Sequence, residues 1–253
     1  MRYRARVEYD GTDFAGFQLQ RGQRTVQGEL ERALSRLSAG DRVRVEAAGR
    51  TDAGVHAAGQ LIAFSYGGRL SAAQLQPALA ALLPRDIGLR SLRRVAVDFR
   101  PRYEAVQREY RYSIWNGAHS PLRERYALGV PERLDVTAMS AAAEAFVGRH
   151  DFSAFGGGDR QPIRSLHRLR VRRNGRMVVI EMVGDSFLRQ MVRRMVAALL
   201  RVGRGQATVH DVSEALHSGQ PAFAGETAPP HGLCLRKVTL RAPRRARVKR
   251  NDE

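Results

Sequence analysis

The order of strand-like and helix-like patterns along the chain is the feature that most constrains its fold. Residues 2–9 alternate apolar and charged side chains with the period of a half-buried strand. Apolar residues then recur at helical spacing behind Thr25, whose hydroxyl is suited to cap a helix. The elements predicted up to residue 97 are strands at 2–9, 43–48, 59–66 and 86–97 and helices at 25–37 and 71–83. Their order is β-α-β-β-α-β.

The second part of the chain repeats this order with longer connections. The elements predicted there are a strand at 104–115, a helix at 137–148 capped by Thr137, a hairpin at 166–184 turning at Asn174-Gly175, a helix at 186–203 and a strand at 233–241. Two consecutive units of this kind predict an α+β fold of two tandem ferredoxin-like halves. We expect a pseudo-symmetric, mostly antiparallel sheet with helices on one face and a central active-site cleft.

The same patterns suggest how the chain divides. The boundary between the halves is predicted near 98–104, giving an N-terminal half at 1–100 and a C-terminal half at 101–241. A basic tail follows at 242–253 and is expected to be flexible. Pro77 lies inside one predicted helix and is expected to kink or shorten it.

The charge of the chain limits its partners. Lys and Arg total 43 against 25 Asp and Glu, a formal net charge of +18. A phosphate-rich partner is the natural complement, because Lys and Arg contacts to phosphate release counterions; arginine enrichment from a GC-rich genome is the alternative. No apolar run approaches membrane-spanning length and the chain does not open with a secretory pattern, so no membrane contact is expected. The single cysteine, Cys234, excludes an internal disulfide and suits a reducing cytoplasm.

The stretch GRTDAGVHA at 49–57 is the strongest local candidate for chemistry. Gly49 and Gly54 allow backbone conformations that other residues avoid, so the segment is predicted to be a turn of defined geometry. Arg50 could hold the Asp52 carboxylate ionised, and such a carboxylate can act as a nucleophile or a base. A turn stabilised by Asp52 beside a solvated Arg50 is the alternative.

Other chemistry-bearing patterns are sparse. The seven histidines are scattered without metal-ligand spacing, so the sequence predicts no metal site. His56 is a candidate for contacting a substrate phosphate, with a packed or turn-bonding histidine as the alternative. The glycine runs at 156–159 and 202–205 lack the strand–loop–helix context of a phosphate loop, which predicts no nucleotide cofactor.

Aromatic and basic residues share one face of the strand predicted at 104–115. Arg108, Tyr110 and Tyr112 stand two residues apart and therefore point to the same side. RNA-binding sheets use such rings to stack bases, although two tyrosines in a strand also suit a core. Arg193 lies on the stripe of its predicted helix opposite the apolar pairs, where a solvated arginine is the default.

Taken together, these segments resemble the tRNA pseudouridine synthase A family along nearly the whole chain. The stretches that carry the resemblance, in family order, are EYDGTDFAGFQLQ (8–20), TVQGELERAL (25–34), AGRTDAGVHAAGQ (48–60), LPRDI (83–87), REYRYSIWN (108–116), HDFSAF (150–155), FLRQMVRRMVAALLRVGRG (187–205) and TAPPHGLCL (227–235). Phe17 departs from the usual tryptophan, and Arg189, Gln190 and Arg194 replace histidines and asparagine frequent in the family.

The resemblance implies an activity and roles for residues. The family isomerises uridine to pseudouridine at positions 38, 39 and 40 of the tRNA anticodon stem-loop, without a cofactor. Asp52 looks like its catalytic aspartate, Arg50 like the neighbouring loop arginine and Arg193 like the partner of the aspartate. Tyr110 looks like the residue that stacks on the target base and assists deprotonation, with Arg108 and His56 expected to bind substrate.

The resemblance also implies a homodimer in which each tRNA contacts both subunits. Covalent addition of Asp52 and a glycal route that begins with sugar-proton abstraction both remain open. The alternatives are a non-catalytic RNA-binding protein on the same fold and a cofactor-free hydrolase of glycosidic bonds. The hydrolase usually needs a second catalytic carboxylate, and none stands in a comparable sequence context.

Overall fold

The computed structural model of the chain describes residues 1–157, 160–220, 223 and 226–241. The predicted tail at 242–253 and the end of the glycine run at 156–159 lie outside the described residues. The first part of the chain forms β1 (Arg2–Tyr9), α1 (Val26–Leu37), β2 (Val45–Ala47), β3 (His56–Ser65), α2 (Ala72–Leu82) and β4 (Ile87–Arg94). This is the predicted order, with Thr25 capping α1 through a hydrogen bond accepted from the Gly28 amide.

The described residues of the second part form every predicted helix and strand, together with two further α-helices and two further strands. It forms α3 (Pro101–Glu104), β5 (Ala105–Asn116), β6 (Leu128–Val130), α4 (Val136–Ala145), β7 (Gly148–Asp151), β8 (Ile163–Asn174), β9 (Met177–Gly184), α5 (Met191–Gly203), α6 (Val209–Ser218) and β10 (Leu233–Leu240). The additions are α3, β6, β7 and α6. None of them interrupts the order β5-α4-β8-β9-α5-β10.

The ten strands of the described residues form one sheet in which β10 joins the two parts of the chain. The strand order is β4-β1-β3-β10-β5-β9-β8-β7, with β2 paired to β3 and β6 to β5. Among the described strands, only the pairs β3–β10 and β5–β6 are parallel. The predicted α+β fold with a mostly antiparallel sheet is confirmed. The division into halves at 1–100 and 101–241 stays a prediction.

The core lies between this sheet and the helices. Burial alternates along β5, so that Tyr112 and Ile114 are fully buried while Ser113 between them is partly exposed. Helix α5 packs against α4 and buries an apolar stripe that includes Met195, Val196 and Leu199. Removing these side chains from water stabilises the layer and fixes which side of α5 faces the sheet.

The structure corrects several boundaries. Helix α4 is capped by Asp135 rather than Thr137, because the Asp135 carboxylate accepts the Ala138 amide. Helix α5 begins at Met191, five residues later than predicted, since Gln190 adopts a left-handed backbone conformation. Helix α2 continues through Pro77 over its full length. Within the described ranges, no helix is long and apolar enough to cross a bilayer.

The predicted hairpin is confirmed with its turn shifted by one residue. Asn174 is the last residue of β8 and pairs with Met177, so Gly175 and Arg176 form the two-residue connection. Gly175 has a positive φ of 56°, which a residue without a Cβ adopts at little cost. The long β8–β9 ladder therefore starts from a tight turn.

Candidate active site

A cleft of about 1390 Å³ is lined by residues from both parts of the chain. It is larger than the 300–1,000 Å³ typical of small-molecule pockets. Nine arginines but four carboxylates are among the described residues that line it. A cleft of this size and charge suits a polyanion better than a small neutral ligand.

The loop that carries Asp52 is fixed to the segment that follows β1. The Tyr9 and Thr51 hydroxyls are 2.8 Å apart in a buried hydrogen bond. The Phe17 amide donates to the Thr51 carbonyl at 3.1 Å, and the Gly54 amide donates to the Phe14 carbonyl at 3.3 Å. The function of the YDGTDFAGF stretch in this fold is therefore to hold the loop in place.

Gly54 shows how closely the loop is packed. Its φ is +74°, in the left-handed region that side chains with a Cβ rarely adopt. A Cβ at this position would lie 2.8 Å from Cγ of Pro230, a residue far downstream in the chain. The glycine therefore allows both the turn and its contact with the segment before β10.

Asp52 forms an ion pair with Arg193 of α5. The Asp52 carboxylate and the Arg193 guanidinium are 3.5 Å apart, and their side chains are 36% and 14% exposed. Arg193 also donates from Nε to the Ala228 carbonyl at 2.7 Å. The predicted pair is therefore brought together, with the cation held from a second side while the carboxylate stays open to the cleft.

Arg50 occupies a different position from the one a local salt bridge would require. Its side chain is exposed and lines the cleft. The ion pairs among the described residues include Asp52 with Arg193 and none between Asp52 and Arg50. Arg50 is therefore available to a ligand, and Arg193 takes the place of counter-ion.

Tyr110 lies in the lining of the cleft and is only 9% exposed. Its ring packs edge-on against Phe187, with ring centroids 5.2 Å apart. Burial raises the pKa of Tyr110 to about 12; the Arg108 cation opposes this and the Asp52 carboxylate adds to it. The hydroxyl is thus protonated at neutral pH and close enough to Asp52 to sense its charge.

Arg108 is buried, and its guanidinium bonds to backbone carbonyls. It donates to Ala105 at 2.9 Å, Asp185 at 2.6 Å, Ala48 at 2.8 Å and Arg102 at 3.2 Å. Desolvation lowers its pKa, and the electrostatic interaction with Tyr110 opposes that shift. The geometry gives Arg108 a tethering role between both parts of the chain, and its predicted contact with substrate stays a prediction.

His56 is also engaged by the protein itself. The Gly11 amide donates to its Nδ1 at 2.9 Å, and its Nε2 lies 3.1 Å from the His231 carbonyl. Nδ1 also lies 3.1 Å from Oδ1 of Asp10, so backbone groups and a carboxylate together hold the ring. His56 is buried and is not among the residues that line the cleft. Its predicted phosphate contact stays a prediction, while its position is that of the packed alternative.

Sequence reasoning missed the polar residues that support this loop. The Gln60 side chain is fully buried and donates to the Gly49 carbonyl at 3.0 Å. Asp10 binds both Arg125 and Tyr126 at the edge of His56. Asp10 stands in the YDG stretch, but neither its partners nor the burial of Gln60 can be read from sequence spacing. In the described part of the chain, no three His, Cys, Asp or Glu side chains are grouped for metal binding.

Comparison with known proteins points to one family. A family profile described as tRNA pseudouridine synthase matches residues 5–104 and 142–239. A protein named tRNA pseudouridine synthase A from Geobacillus kaustophilus is 41% identical, with 92% of each chain covered. Its counterpart from Solidesulfovibrio magneticus is 44% identical over 96% of this chain and 92% of the relative.

Among solved structures, an H/ACA RNP bound to a substrate RNA containing 2′-deoxyuridine aligns over 91% of this chain and 59% of that chain. Its identity is 13% and its TM-score 0.34. This likeness is too distant to bear on the activity of the chain.

Proposed function

We propose that this chain, which belongs to the tRNA pseudouridine synthase family, isomerises uridine to pseudouridine at positions 38, 39 and 40 of the tRNA anticodon stem-loop. The observation that carries the assignment of the site is the Asp52–Arg193 pair, 3.5 Å apart in a basic cleft. A fixed cation beside the carboxylate orients it and balances its negative charge. The same carboxylate is open enough to reach a nucleotide.

The reaction moves one bond and one proton. The N1–C1′ bond of the uridine breaks, a C5–C1′ bond forms, the hydrogen on C5 leaves as a proton, and N1 takes up a proton from water. Asp52 serves either as the nucleophile that adds covalently or as the base that removes a sugar proton on a glycal route. Both routes need the ionised carboxylate that Arg193 supports, and neither needs a cofactor.

Tyr110 supplies a ring and a hydroxyl in the same site. The ring stacks on the uracil, which must leave the anticodon helix to reach Asp52. The hydroxyl is protonated in the resting enzyme, because burial raises the pKa of Tyr110 to about 12. It therefore acts as a relay: the hydroxyl oxygen accepts the C5 proton while its own proton passes to water in the cleft, so that no standing phenolate is needed.

The arginines divide between chemistry and binding. Arg193 pairs with the Asp52 carboxylate, and the exposed Arg50 contacts the RNA at the mouth of the site. Arg108 and His56 hold the loop that carries Asp52. The net charge of +18 supports binding to a phosphate backbone, so affinity for tRNA falls steeply as salt is raised.

The proposal includes the assembly in which the site works. We place the protein in the cytoplasm as a homodimer, with each tRNA touching both subunits. The family resemblance and the basic cleft support this arrangement. Sedimentation of the free protein at twice the chain mass of 28.2 kDa is the expected result, and a monomer at working concentration would contradict it.

The test of the catalytic site compares two carboxylates in the same cleft. Asp52→Asn is expected to abolish tritium release from tRNA labelled at C5 of uridine while leaving tRNA affinity unchanged. Asp98→Asn is the matched control, because Asp98 also lines the cleft and is exposed. Activity in the Asp52 variant would refute the assignment, and wild-type binding without any tritium release would favour a non-catalytic RNA-binding protein.

A further inference from the structure

Two large apolar side chains stand exposed in the lining of the charged cleft. Tyr103 is 74% exposed and Val97 is 87% exposed, and both line the cleft that holds Asp52. Single exposed apolar residues are normal on protein surfaces; Leu122, which is 91% exposed and is not among the cleft-lining residues, is one such case. A pair within a cleft rich in arginine is a different situation, because the cleft is where a ligand enters.

The backbone around Tyr103 is fixed although its ring is free. The Tyr103 amide donates to the Arg100 carbonyl at 3.1 Å, and the Arg241 amide donates to the Glu104 carbonyl at 2.9 Å. The Arg102 carbonyl accepts from Arg108 at 3.2 Å. Among the described residues, the Tyr103 ring has no aromatic or cation–π partner. The fold thus holds this short helix in place and leaves the ring uncovered.

Tyr103 is also linked to the catalytic loop through one side chain. The Arg108 guanidinium that binds the Arg102 carbonyl also binds Ala48, four residues before Asp52, at 2.8 Å. Two tyrosines are among the described residues that line the cleft, and they differ in exposure. Tyr110 is the buried one, and Tyr103 is the exposed one.

We propose that Tyr103, with Val97 beside the same opening, is a second stacking platform that binds a nucleobase of the substrate RNA other than the target uracil. The proposal rests on the proposed function and deepens it. Extruding the target base breaks its stacking with its neighbours, which costs free energy. A ring at the rim restores one stack while the target base occupies the site at Tyr110. Base stacking on an aromatic side chain is tolerant of sequence, so this contact supports several tRNAs.

A stacking role differs from a purely apolar one in what can replace the tyrosine. Tyr103→Phe and Tyr103→Trp keep a ring and are expected to bind tRNA as the wild type does. Tyr103→Leu keeps apolar area without a ring and Tyr103→Ala removes both, so each is expected to weaken binding. Because the side chain is exposed, none of these changes should alter thermal unfolding.

The experiment measures tRNA affinity by filter binding and single-turnover tritium release as a function of enzyme concentration. We expect Tyr103→Ala to raise both Kd and the half-saturating enzyme concentration by roughly 5- to 150-fold, the equivalent of 1–3 kcal/mol per stacked base, with the saturated rate retained. Leu122→Ala is the matched control for loss of an exposed apolar side chain and should match the wild type.

Two results would overturn the proposal. One is an alanine variant at Tyr103 that binds tRNA as tightly as the wild type. The other is weakened binding accompanied by a changed sedimentation mass, which would make Tyr103 part of a protein–protein contact. Failure of the proposed function would be seen separately, as a wild type that releases no tritium. The comparison of tRNA affinity between the wild type and the Tyr103 variants would still test the stacking contact.

Discussion

Replacing Arg108 by methionine tests how much the folded state depends on this buried guanidinium. Its hydrogen bonds among the described residues all go to backbone carbonyls. Two of its four acceptors, Ala105 and Ala48, are in fully buried hydrogen bonds. A buried acceptor left without a donor costs about 1–3 kcal/mol, so the two together would cost about 2–6 kcal/mol. The variant regains the desolvation cost of the cation, so we expect a net loss of about 2–4 kcal/mol in the free energy of unfolding.

The assay is urea unfolding of the full chain, with Arg111→Met as the matched control. Arg111 lies three residues along the same strand, is 41% exposed and pairs with Glu181 at 2.8 Å. A surface pair of this kind contributes about 0–1 kcal/mol. Arg108→Lys is expected to fall between the two, because an ammonium cannot match the fork of a guanidinium. Equal unfolding free energies for the methionine variants at Arg108 and Arg111 would mean that the buried carbonyls do not depend on Arg108.

Three other changes test the loop and the site. Gly54→Ala is expected to cost at least 1–2 kcal/mol and to lower the turnover rate, because φ is +74° and the new Cβ would meet Pro230; urea unfolding and tritium release measure both. His56→Gln is expected to lose less free energy of unfolding than the wild type as pH falls below 6.5, measured by urea unfolding at several pH values. Burial lowers the pKa of His56, so the unfolded chain binds the proton first and stability falls as pH drops, by up to about 1.4 kcal/mol per pH unit. Tyr110→Phe is expected to keep tRNA affinity and slow single-turnover tritium release, because the ring remains and the relay hydroxyl is lost.

Each of these has a contradicting outcome. Wild-type stability and turnover in the Gly54 variant would mean that the loop rearranges freely. An unchanged acid slope in the His56 variant would mean that another group, such as His231, whose pKa burial also lowers, takes up the proton. An unchanged rate in the Tyr110 variant would remove the hydroxyl from the mechanism.

Long helices and strands could be predicted from sequence because the periodic spacing of their apolar residues marks the side that is buried. Strand β1 lies at the predicted residues, and the β8–β9 hairpin is present with a shift of one residue. Strands β6 and β7 span three and four residues and exist only through pairing with longer strands, so no local pattern marks them. Helix α6 did carry a signal, since Thr208 and Asp211 form a capping box.

Some contacts of the candidate site could likewise be predicted from the sequence, and others could not. Asp52 stands in a short, glycine-bounded stretch, and the resemblance supplied Arg193, about 140 residues downstream, as its partner. The carbonyls that Arg108 binds belong to residues as far as 77 positions away, and any residue type can provide a carbonyl. His56 likewise bonds to the backbone of Gly11 and His231, and only its contact with Asp10, at 3.1 Å, involves another side chain among the described residues. Contacts to backbone leave no residue-type signal, which is why two residues predicted to bind substrate proved to be engaged by the protein.

Position-resolved pseudouridine mapping of tRNA treated with the purified protein shows whether the chain isomerises uridine and whether Asp52 is required. We expect pseudouridine at one or more of positions 38, 39 and 40 after treatment with the wild type and with Asp98→Asn, and none after treatment with Asp52→Asn. Pseudouridine at those positions after treatment with the Asp52 variant would contradict the account, as would modification confined to other parts of the tRNA.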